Sequence, residues 1–160
     1  VSVASTPETD EIDQLFDDMQ LDGIVSYTAF RQAVTGYQKI EQKSKSIMTL
    51  IDFSKPSTEK RLYVLDMKNK KLLYTSVVSH GKNSGGNYAT SFSNKNGSYK
   101  SSLGFYLTEN TYQGRNGYSL VLNGLEKGIN DQAKQRAIVM HGAAYANPNI
   151  TASATGSFWP

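Results

Sequence analysis

Only two imidazoles occur in the chain, His80 and His141, and each is followed by glycine. Ile138-Val139-Met140 is an unbroken apolar run, which predicts a buried strand that delivers His141 at its end. Gly142 then lets the backbone turn sharply or a substrate approach closely. Imidazole, whose unperturbed pKa lies near 6.5, is the side chain suited to serve there as general base for a nucleophile. The alternative is a core histidine satisfied by a backbone carbonyl. The chain contains no cysteine, so it has no thiol, no disulfide and no Cys-based zinc site. Two histidines without a paired His-x-x-Glu-His spacing also make a weak ligand set, and no metal is expected.

The elements that must position these residues follow from periodicity. Ile12, Leu15, Phe16 and Met19 recur at helical spacing, with Glu8, Asp10, Glu11 and Asp13 making an acidic first turn. Asp22-Gly23 breaks that pattern. Ser26 suits the N-cap of a second helix, with Tyr27, Phe30, Val34 and Tyr37 along one face. From Ile47 the period changes. Strands are predicted over residues 47–53, 61–67, 71–79, 103–108, 118–122 and 137–141, the second and third joined by a Lys68-Asn69-Lys70 hairpin tip. A short helix over 130–136, capped by Asn130, precedes the last strand. Residues 84–102 form a loop rich in Ser, Gly, Asn and Tyr, and a loop of that length inside a compact domain is more often functional than idle. The expected class is mainly β, of the α+β kind: a curved sheet, sandwich or barrel with two early helices packed outside as a brace.

Composition narrows the partners. A net charge of +3 gives weak support for an anionic partner such as a cell envelope. The lysines are scattered, and Lys68, Lys70 and Lys71, the only tight group, read as a solvated hairpin tip, so nucleic-acid binding gains little support. No apolar run approaches the roughly 18 residues that span a bilayer. Val1-Ser2-Val3-Ala4-Ser5 has neither a basic segment nor an apolar one, so a signal peptide is expected to be already removed or never to have existed.

Ala137-Ile138-Val139-Met140-His141-Gly142-Ala143 resembles the histidine half of the signature of the murein L,D-transpeptidases of the YkuD type. In that family a strand ending in His-Gly precedes a loop carrying Ser-x-Gly-Cys. An ordered series of segments agrees: Val78-Ser79-His80-Gly81-Lys82-Asn83-Ser84-Gly85, Ala89-Thr90-Ser91-Phe92-Ser93-Asn94, and Gly97-Ser98-Tyr99-Lys100-Ser101-Ser102-Leu103-Gly104-Phe105-Tyr106. Gly117-Tyr118-Ser119-Leu120 and Gly124-Leu125-Glu126-Lys127-Gly128-Ile129-Asn130 match as well. The resemblance runs from about Ile47 to Tyr145, with a weaker helical match before it. It implies a helical segment over residues 1–45 and a catalytic domain over 46–160 that is incomplete at its C-terminus.

In the family a cysteine thiolate attacks an amide of a murein stem peptide at diaminopimelate, D-alanine leaves, and the amine of a second stem takes the acyl group. No metal or organic cofactor is required. Carried over, the resemblance makes His141 the base, gives Gly142 the task of making room for it, and lays Ser157 on the opening of the Ser-x-Gly-Cys loop. Trp159-Pro160 stand where Gly-Cys should follow. Either the chain is truncated at that loop or it has diverged, and no activity is expected of it as it stands. His80, Ser102, Gly104, Tyr106 and Tyr118 are implied to line the substrate groove, with His141 facing the 102–106 segment. Alternatively the tyrosines are ordinary sheet residues and His80 a turn residue. The implied partner is the peptidoglycan stem peptide and the implied place the bacterial envelope, periplasmic or secreted. The second reading is a pseudoenzyme that binds stem peptide without cutting it.

Overall fold

A computed structural model describes residues 7–41, 43–115 and 117–142. It divides into two compact units, one gathering the residues up to Asp52 with Leu62–Ser76, the other Phe53–Arg61 with the residues from Val77 on.

The first unit is two helices on a small sheet. Helix α1 spans Pro7–Asp18 and α2 spans Tyr27–Lys39. Ser26 is extended, at φ −60° and ψ 125°, and its hydroxyl accepts from the Ala29 amide at 3.4 Å, which caps α2 as its residue type predicts. Strands β1 (Ile47–Ile51), β2 (Leu62–Asp66) and β3 (Lys71–Ser76) pair antiparallel in that order. The register sets Met48 opposite Leu65 and Leu50 opposite Tyr63, so these four side chains share one face of the sheet. That face joins Ile12, Phe16 and Met19 of the first helical stretch and Phe30, Ala33 and Val34 of α2 in one core. Phe16 lies edge-on to Tyr27 at 5.3 Å and tilted on Phe30 at 5.4 Å. The β2–β3 turn is closed by Asp66, whose Oδ1 accepts from the Lys68 and Asn69 amides at 3.1 and 3.0 Å.

The second unit holds β4 (Tyr106–Gly114), β5 (Gly117–Gly124) and β6 (Val139–His141), antiparallel in the order β4-β5-β6. With two helices and two three-stranded antiparallel sheets among the described residues, the chain is mainly β and of the α+β class, as expected. Among the described strands neither sheet closes into a barrel.

Three local expectations change. The strand expected from Leu103 begins at Tyr106 and runs on to Gly114, because Gly104 sits at φ +110°, outside the extended region. The segment 130–136 is a chain of turns and not a helix. Its expected cap is engaged elsewhere: Asn130 Oδ1 accepts from the Glu126 amide at 2.9 Å, and Nδ2 donates to the Phe105 carbonyl at 2.9 Å. Finally, β6 lies at a sheet edge among the described strands. Its three residues are half-buried, where a buried strand is expected.

Candidate functional site

The sequence-predicted site residues fall into three clusters of the second unit. The first surrounds His80, which is 2% exposed. Its Nε2 faces the carbonyls of Gly85 at 3.1 Å and Gly86 at 2.7 Å, and carbonyls only accept, so that nitrogen carries the hydrogen. Nδ1 therefore accepts from Arg61 Nη2 at 2.9 Å. Burial holds the imidazole below its ordinary pKa of 6.5, and the Arg61 charge pushes the same way. Arg61 is itself fully buried. It donates from Nε and Nη2 to the Val78 carbonyl and from Nη1 to that of Lys55, and its guanidinium lies 4.9 Å from the Phe53 ring centroid. The result is a neutral, fully engaged histidine beneath the surface, with no ring atom left for a groove. Arg61, which follows Glu59-Lys60 in the sequence, reads as a surface charge, and no local pattern signals its burial.

The second cluster is built on residues 102–106. The Ser102 hydroxyl donates to the Ser93 carbonyl at 2.7 Å and accepts from Arg136 Nη1 at 2.9 Å. Arg136 also reaches the Ser93 and Lys100 carbonyls and the Ser98 hydroxyl, at 2.8, 2.7 and 3.1 Å. One guanidinium thus fastens the far end of the long polar loop to the segment that leads into β6. Tyr106 donates its hydroxyl to the Ser102 carbonyl at 2.8 Å, and burial raises its phenol above the ordinary 10.0. Gly104 is needed for packing: a Cβ there would run into the Glu126 carboxylate, whose Oε2 accepts from the Phe105 amide at 3.1 Å. Glu126, Asn130 and Arg136 therefore shape this segment. Their roles are tertiary, and no local sequence pattern marks them.

The third cluster contains His141. Register pairs it with Ser119 on β5, and pairs Ser119 in turn with Tyr112 on β4. Paired residues share a sheet face, so Tyr112, Ser119 and His141 form a row across one face. His141 is half-buried. Its Nδ1 lies 2.9 Å from the Gly142 carbonyl. That contact requires Nδ1–H, so in the neutral ring the lone pair sits on Nε2, the form a general base needs. Among the described residues a Cβ on Gly142 would meet nothing within 4 Å.

The first two clusters adjoin, the Gly81 amide donating to the Ser101 hydroxyl and the Ser101 amide to the Ser84 hydroxyl, each at 2.8 Å, but the structure does not bring the 102–106 segment and His141 together. Tyr106 pairs with Gly124 and His141 with Ser119, five residues apart on β5, a separation of about 17 Å along the strand. The 102–106 segment and His141 thus lie at opposite ends of β5, because in the β4–β5 hairpin the start of β4 must pair with the end of β5. Tyr118 is 65% exposed, on the face opposite His141, with its hydroxyl 2.8 Å from that of Thr111. Ser157 lies outside the described residues. Among the described residues no group of His, Asp and Glu side chains could hold a metal ion.

The model of the L,D-transpeptidase catalytic domain family matches residues 22–158. Two helices and two antiparallel sheets, with a strand-end His-Gly, agree with that assignment; the chain belongs to the L,D-transpeptidase catalytic domain family of the YkuD type. No curated protein and no solved structure matches it significantly. Members of this family act on peptidoglycan peptides and are associated with the cell envelope. No described helix is long and apolar enough to cross a membrane.

Proposed function

We propose that His141 is the general base of a stem-peptide site of the L,D-transpeptidase type, and that the chain, having no thiol, performs no acyl transfer by itself. The observation that carries the reading is the Nδ1–H contact with the Gly142 carbonyl, which puts the lone pair of the neutral ring on Nε2. In the family reaction such a lone pair takes the proton of the attacking thiol and returns it to the departing amine. Gly142 would give the ring room, and the substrate is a peptidoglycan stem peptide met in the bacterial envelope. A hydroxyl, Ser157 included, is a far weaker nucleophile than a thiolate at neutral pH. The second reading is a domain that binds stem peptide without cutting it.

Incubation with disaccharide-tetrapeptide, followed by mass spectrometry of released D-alanine, tests the first claim. The expected result is no release above the protein-free blank. Release that disappears in a His141→Ala variant would overturn it, because a nucleophile other than a thiol would then be at work. Titration of the same ligand, followed through the His141 ring proton resonance, separates binding without turnover from no binding.

A further inference from the structure

The register of β4, β5 and β6 decides which hairpin tyrosine can share a ligand with His141. Tyr118 and Tyr112 are both exposed, at 65% and 41%, and both lie near the β4–β5 turn. Successive side chains on a strand point to opposite faces. Ser119 pairs with His141, so its neighbour Tyr118 faces away, beside Thr111 and Leu120. Tyr112 pairs with Ser119 from the other side and so shares the face of His141. Two strand spacings, about 10 Å, separate the backbones of Tyr112 and His141. Between them the small Ser119 side chain is buried, at 2% exposure.

The orientation of Tyr112 has its own support. A Cβ on Gly114 would come within 2.6 Å of Tyr112 Cε2, so the ring lies across the bare backbone of Gly114 on the same face. Gly114 shows no positive φ. Its lack of a side chain therefore makes room for the ring and does not relieve the backbone.

We propose that Tyr112, and not Tyr118, is the wall of the stem-peptide site opposite His141, its ring packing on the aliphatic side chain of the residue beside the scissile amide. The assignment rests on reading His141 as the base of that site. Tyr112 is a specificity-determining residue here and takes no proton.

The test is a titration of the full chain, carrying 13C-labelled histidine, with disaccharide-tetrapeptide. The His141 ring resonance is identified by its loss in His141→Ala, and the enclosed His80 serves as internal control. In the wild-type chain the ligand shifts the His141 resonance and leaves that of His80 in place. Tyr112→Ala weakens binding by about tenfold or more, as loss of an aromatic wall requires, with the His80 resonance unchanged. Tyr112→Phe, which keeps the ring, stays within about threefold of wild type, and Tyr118→Ala within about twofold. Gly114→Ala, which displaces the ring without removing it, weakens binding in the same direction as Tyr112→Ala. If the wild type binds and Tyr112→Ala binds equally well, or if Tyr118→Ala loses as much as Tyr112→Ala, the assignment of Tyr112 is overturned and the role of His141 is not. If the ligand leaves the wild-type His141 resonance unmoved, the reading of the site falls and the assignment falls with it.

Discussion

Protonating His80 would place a second cation against the Arg61 guanidinium, and would leave Nδ1–H facing a donor where it now accepts. Burial foremost, and the Arg61 charge with it, holds its folded-state pKa below the ordinary 6.5. In the unfolded chain the ring titrates near that ordinary value. As pH falls below it, the unfolded state therefore takes up a proton that the folded state resists. His80 thus contributes stability in full above the unfolded value, and the contribution is lost as pH drops toward the folded one. In a His141→Ala background, which leaves His80 as the only imidazole, the urea midpoint should fall between pH 7.5 and pH 5.5. Adding His80→Gln, whose amide presents one acceptor and one donor group in a similar place, should flatten that part of the profile. An equal fall in both proteins would show that the Arg61–His80 contact does not govern acid sensitivity.

Elements here are specified by what they bury. Phe30 is fully enclosed between α1 and the rest of its core, so Phe30→Ala should destabilise by about 3–5 kcal/mol, read from the denaturant midpoint. A much smaller loss would mean that the helical face is not packed as described. Gly104 acts at the entry to β4. An alanine there would adopt φ +110° with its methyl against the Glu126 carboxylate and the Asn130 amide. Strain and overpacking together should cost roughly 2–4 kcal/mol. Thermal unfolding of Gly104→Ala at near wild-type temperature would contradict that packing. The turn chain 130–136 carries a related lesson. Asn130 has the residue type of a helix cap, but a long-range bond to Phe105 and a local one to Glu126 use both ends of its amide.

For the whole molecule the controlling fact is chemical. Acyl transfer requires a nucleophile, a base and donors to the oxyanion in one place. The chain brings an oriented imidazole and no thiol. Its intact mass should therefore be unchanged after incubation with disaccharide-tetrapeptide, with no acyl adduct; an adduct mapped to a serine or threonine would refute this.

Amino-acid order alone determined a good deal of this protein. Ser26 as a cap, the Tyr27/Phe30/Val34/Tyr37 face, the Lys68-Asn69-Lys70 turn, the mainly β class and the family all follow from local pattern, because caps, faces and turns are satisfied by residues a few positions apart. The location of His141 at a strand end was legible for the same reason. Other features came only with tertiary structure: the enclosure of His80 by Arg61, the anchoring of the 93–102 stretch by Arg136, and the distance along β5 between the 102–106 segment and His141. Which tyrosine shares a face with His141 belongs with these. Each depends on strand register or on a partner at least 17 positions away, and a shift of one residue in register exchanges the two faces of a strand. Hydrophobic pattern names the strands, but only their pairing decides what stands beside the base.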